Sequence, residues 1–134
     1  MKNSHFFFLF LSLAILISNC KDSNSPTSSD KPLRTVKYIA FITPIAYGVS
    51  STFTYTNENG GTSQSGANQS DGTFSKTIQL KSGTFVELKA SGSTTRDISI
   101  GGRVIIYVDG KEITSSDASG KKYSNSVSVS ITIP

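Results

Sequence analysis

For residues 34–134 the sequence predicts an all-β sandwich of about seven short antiparallel strands, on three observations. Short runs alternate apolar and polar residues with a period of two. Gly, Asn and Asp cluster between those runs at close spacing, as turns require. No segment holds a 3.6-residue apolar period over ten residues, so no helix is expected. Short strands that each bury one face need a second sheet to cover it, which favours a sandwich over an open sheet. The absence of any fixed repeat argues against a propeller or a solenoid. A small closed barrel is the alternative architecture.

The elements follow in order. Val36, Tyr38, Ala40 and Ile42 share one face of a first strand that Thr43-Pro44 ends. In the second, Val49, Ser51, Phe53 and Tyr55 alternate with Ser50, Thr52, Thr54 and Thr56, giving a half-buried strand with a hydroxyl outer face. Asn57-Glu58-Asn59-Gly60-Gly61 is a hairpin signal, because Asn and Gly accept the positive φ of tight turns. Thr62–Gly72, rich in Gly and Ser, is expected as a loop. Phe74, Ile78 and Leu80 mark the inner face of the next strand, with Lys76 out of pattern. Lys81-Ser82-Gly83-Thr84 turns the chain into Phe85–Ala90, where Val86, Leu88 and Ala90 point inward. Ile98 and Ile100 open a strand that Gly101-Gly102 interrupts as a bulge. It continues through Arg103–Val108, apolar on both faces and so expected at the centre of a sheet. Asp109-Gly110 is a second hairpin dipeptide and leads into Lys111–Thr114. In the last strand, Ser124–Ile133, Val127, Val129, Ile131 and Ile133 alternate with Ser126, Ser128, Ser130 and Thr132.

Ahead of this domain, MKNSHFFFLFLSLAILISNC resembles the leader of a bacterial lipoprotein. Lys2 forms a charged start, and an apolar run of twelve residues extends from Phe6 to Ile17. That run suits a signal peptide and falls short of the ~20 residues that span a bilayer. Ile17-Ser18-Asn19-Cys20 then stands like a lipobox, with Asn19 where a small residue is usual. The resemblance implies cleavage of a signal peptide over 1–19, acylation of Cys20 and anchorage to the membrane through it. Lys21 after the cysteine, rather than an acid, fits outer-membrane delivery, facing the periplasm or the cell surface. Residues 20–33 are Ser-, Asp- and Pro-rich, with little to bury, and read as a tether.

Composition excludes several function classes. Loss of the leader removes Lys2, His5 and Met1, lowers the formal charge from +4 to +3, and leaves no His, Met or Trp. With Cys20 acylated, no Ser-His-Asp or Cys-His nucleophile remains, nor the usual nitrogen and sulfur ligands of zinc. Neither a metal nor an organic cofactor is expected. Lys76, Lys81, Lys89, Arg96, Arg103, Lys111, Lys121 and Lys122 are scattered among acids and hydroxyls without a stacking platform of aromatics, so nucleic acid is not an expected partner.

What remains is a non-enzymatic, lipid-anchored envelope domain that binds a protein or glycan partner. The surfaces offered for this are Asn57–Gly61 with Thr62–Gly72, and the hydroxyl row Ser126, Ser128 and Ser130. A surface adhesin or glycan-binding module belongs to the same reading. A carboxylate-pair glycosidase is the alternative from another class, drawing on Glu58, Glu87, Asp97, Asp109 and Glu112. Calcium binding by Asp71, Asp97 and Asp117 is a third, without the dense Asp/Asn-x-Asp spacing of such loops. Asn68-Gln69-Ser70 matches a glycosylation sequon that carries no weight in a bacterial chain.

Three segments carry a family resemblance. Phe53-Thr-Tyr-Thr-Asn-Glu-Asn-Gly-Gly-Thr62, Phe85-Val-Glu-Leu-Lys-Ala90 and Val104-Ile-Ile-Tyr-Val-Asp-Gly-Lys111 resemble, in succession, the MmpS-like proteins, over roughly residues 36–133. The resemblance implies a small extracytoplasmic domain with an immunoglobulin-like sandwich. It also implies an accessory role beside a large exporter of lipids or siderophores. This chain departs from the family in its lipid-anchor signal, where the relatives use a transmembrane helix, and in Phe74, where they often carry tryptophan.

Overall fold

The computed structural model describes residues 31–44, 48–65 and 72–134. The leader, Cys20, the tether as far as residue 30, the sequon Asn68-Gln69-Ser70 and Asp71 lie outside the described residues. Eight strands follow one another: β1 Leu33–Thr43, β2 Val49–Thr56, β3 Thr62–Ser65, β4 Thr73–Lys81, β5 Phe85–Thr94, β6 Ser99–Val108, β7 Lys111–Lys122 and β8 Ser124–Thr132. They form two four-stranded antiparallel sheets, ordered β4-β1-β6-β7 and β3-β2-β5-β8. The all-β sandwich read from the alternation is the observed fold.

Part of the strand pairing coincides with that of the immunoglobulin sandwich, while β6, the strand after β5, crosses to the other sheet. In that fold the second and fifth strands neighbour one another in one sheet, and the third pairs with the sixth in the other. Here β1 pairs with β4, β2 with β5, and β8 closes the second sheet beside β5. The place beside β1 that the first immunoglobulin strand would take belongs to the β6–β7 hairpin.

The period of two becomes burial directly. Val36, Tyr38, Ala40 and Ile42 of β1 are at most 1% exposed, and Val86, Leu88 and Ala90 of β5 are fully buried. Ile100, Val104, Ile106 and Val108 bring the inner face of β6 to the same core, with Phe53, Phe74 and Val127. Each large aliphatic or aromatic side chain so removed from water contributes about 1.5–3 kcal/mol. Phe74 stacks on Phe53 with ring centroids 5.3 Å apart and meets Tyr55 at 5.1 Å.

Two expectations need correction. Thr62–Ser65, expected as part of a loop, is β3, an edge strand in register with Phe53–Thr56. It puts no side chain into the core, so the alternation that betrays a strand is missing. The Lys111–Thr114 strand runs on to Lys122, because its backbone follows β6 while Ser115, Ser116 and Asp117 add nothing apolar to read. With β3 the strands among the described residues number eight where about seven were expected. Elsewhere the turn chemistry holds. Asp109 and Gly110 take φ of +50° and +80°, and the β6–β7 register shifts between Ile100 and Gly102, at the expected bulge.

Candidate functional site

The outer face of the second sheet carries an ordered grid of hydroxyls. Ser50 of β2 stands opposite Ser93 of β5, which stands opposite Ser124 of β8; the next row is Thr52, Ser91 and Ser126. The grid follows from the sequence, because each of these residues alternates with one that faces the core. Together with Gly92, Asn125 and Lys121 they line an open depression of about 500 Å3. Lys121 is the one charged residue of that lining. Six hydroxyls and an ammonium can donate and accept hydrogen bonds around a polyhydroxylated or anionic ligand. The lining holds no carboxylate.

Asn125 fixes the corner of this cleft. Its Nδ2 donates to the Ile100 carbonyl at 2.8 Å and also to the Ser119 carbonyl, while its Oδ1 accepts the Ser126 N–H at 2.9 Å. One side chain therefore ties β8 to β6 and β7. Asn125 escaped the sequence reading, although an amide at the core-facing parity of β8 is a usable signal: such a group must find partners inside.

The residues singled out in the sequence are dispersed. Ser126 lines the cleft, whereas Ser128 and Ser130 continue the same face opposite Lys89 and Glu87. Asn57 spends its polar atoms on its own turn, with Oδ1 accepting the N–H groups of Asn59 and Gly61 and Nδ2 donating to Ser63 Oγ, all at 3.0 Å. The carboxylates stand apart, mostly beside cations. Glu58 lies 3.6 Å from Lys76, Asp97 2.7 Å from Lys122, and Asp117 3.7 Å from Arg103. Asp109 accepts the Thr35 N–H at 2.9 Å, and its Oδ2 lies 3.1 Å from Arg34 Nε. Glu87 is exposed on the outer face of β5. Among the described residues no three His, Cys, Asp or Glu side chains converge as a metal site would require.

The cleft and the start of the domain lie at opposite ends of the sandwich. β5 runs from Phe85, beside the turn that Leu33 borders through Lys81, to Ser93 in the first hydroxyl row. Compared with known proteins, the chain matches no family model and no curated protein.

Proposed function

We propose that this chain is a lipoprotein of the bacterial cell envelope, cleaved before Cys20 and held in the outer membrane by acyl chains on that residue. Its sandwich is a non-enzymatic binding or accessory domain. The observation that carries this reading is the order Lys2, Phe6–Ile17, Ile17-Ser18-Asn19-Cys20, in which the only thiol of the chain stands where acylation takes place. Each buried methylene of an acyl chain contributes about 0.8 kcal/mol, so several chains hold a protein in the bilayer durably. The cleft supports a polyhydroxylated partner such as an envelope glycan, with Lys121 favouring one that carries acidic groups. Its place at the end of the sandwich away from Leu33 points it away from the anchored side.

The test is the mass of the membrane-extracted protein together with palmitate labelling. We expect a chain beginning at an acylated Cys20, and a Cys20→Ala variant that takes up no label and leaves the membrane fraction. A full leader with a free sulfhydryl would refute the reading. An accessory role beside an envelope exporter is a second form of it, favoured by the resemblance over residues 36–133; co-purification of a transporter after cross-linking in intact cells is its measure.

A further inference from the structure

Two of the most exposed large apolar side chains of the described residues, Leu33 at 61% and Phe85 at 60%, occupy one end of the sandwich. They flank a single turn. Leu33 pairs with Lys81, Phe85 opens β5, and Lys81–Thr84 joins the two strands. The turn is bonded into the domain at both sides, because Ser82 N–H donates to the Pro32 carbonyl and Gly83 N–H to the Ile133 carbonyl, each at 2.8 Å. Lys31 reaches over it: a Cβ on Gly83 would lie 2.7 Å from its Nζ. Neither Lys31 nor the exposed Lys81 pairs with an acid among the described residues, whereas Arg34, next to Leu33 at the same end, pairs with Asp109.

We propose that this end of the domain is a bilayer-contact surface. Leu33 and Phe85 enter the boundary between headgroups and acyl chains, and Lys31 and Lys81 lie among anionic headgroups. The proposal rests on the lipid-anchor reading and adds to it which face of the domain meets the lipid. Chain length places the surface there, for only residues 21–30 separate Cys20 from Lys31. Eleven residue steps reach no more than about 40 Å even when fully extended, so this end never travels far from the membrane. Confinement of that kind turns docking into a local event, and a few weak contacts then suffice. The pairing of apolar side chains with lysines is what an anionic interface attracts, the lysines acting within about 8 Å at physiological salt. Leu33 and Phe85 project from opposite sheets, so they brace the end of the sandwich on both sides of its turn.

The experiment uses the full chain reconstituted in phosphatidylglycerol–phosphatidylethanolamine vesicles. An environment-sensitive fluorophore is placed on Ser82→Cys, in the turn, or on Thr95→Cys, at the opposite end. Lipids carrying a quencher report contact. Acylation occupies the sulfur of Cys20, so each engineered thiol is labelled alone. Labelling of the unaltered chain would expose a free Cys20 and refute the lipid-anchor reading by itself. We expect blue-shifted, quenched emission at position 82 and neither effect at position 95. In a Leu33→Ser/Phe85→Ser double variant, or in phosphatidylcholine vesicles, the quenching at 82 should fall at least threefold. Both substituted side chains are exposed, and an unchanged circular-dichroism spectrum verifies that the fold survives. Equal quenching at 82 and 95, or quenching at 82 indifferent to both changes, would overturn the proposal while leaving the anchor intact.

Discussion

Tyr38 is fully buried between the sheets, and its hydroxyl has no hydrogen-bond partner in the structure. Burial pushes its pKa well above the usual tyrosine range, Glu58 and Tyr55 add to the shift, and the Thr56 hydroxyl opposes it from a geometry short of a true hydrogen bond. A group whose folded pKa is raised contributes its full stability below the unfolded value, about pH 10 for tyrosine. Above that pH the unfolded chain releases a proton that the folded chain keeps, and stability falls as pH climbs toward the folded value. A Tyr38→Phe variant should therefore lose less melting temperature between pH 9 and 11 than the parent. At neutral pH its stability should match or exceed the parent's, within about 1 kcal/mol, since a buried group without a partner is removed. Gly92 makes the opposite kind of prediction. A Cβ there would sit 2.7 Å from Cγ2 of both Ile42 and Ile100, at a place where the two sheets approach closely. Gly92→Ala should cost about 1–3 kcal/mol in a denaturant titration, because the core must shift to admit one methyl.

At the scale of the element, β8 shows how a ladder sorts its amides. Ile133 N–H donates to the Thr84 carbonyl, and the Tyr123 carbonyl accepts from Thr94 N–H, so the odd-numbered residues of β8 face β5. The backbone groups of Ser128, Ser130 and Thr132 then point to the free edge of the sheet. Hydrogen exchange followed by NMR should find Val127, Val129 and Ile131 protected and Ser128, Ser130 and Thr132 fast. Ser126 should be intermediate, its N–H being held by Asn125. Uniform protection along β8 would mean that another strand covers this edge. The same strand marks what could be read beforehand. Val127, Val129, Ile131 and Ile133 announced β8 because a sheet covers one of its faces. β3 and the second half of β7 announced nothing, because they bury no side chain fully and are held by backbone bonds, which leave no trace in side-chain hydropathy. The cleft was hidden for a related reason. Ser50, Ser93 and Ser124 lie far apart in the chain, and only the register of three strands brings them into one row. Each serine alone is an ordinary outer-face residue.

Across the whole molecule, stability rests on one core shared by both sheets, since the only cysteine, Cys20, lies outside the sandwich and no disulfide can brace it. The pairings that build this core are mostly distant in sequence. β2–β3 and β6–β7 join consecutive strands, whereas β1–β4, β1–β6, β2–β5 and β5–β8 do not. Loop closure must precede most of the favourable contacts, and such topologies fold in about milliseconds to seconds. Stopped-flow refolding from denaturant should fall in that range; a microsecond phase carrying the full amplitude would show that the non-local pairings do not limit folding.

The placement of β1 between β4 and β6 has a mechanical consequence. Tension applied between Leu33 and the far end of the domain would enter at the start of an inner strand and act along it. Two ladders are then loaded in shear, so their bonds must rupture together and cannot be unzipped singly. A domain built this way resists being pulled apart by whatever tugs on its far end.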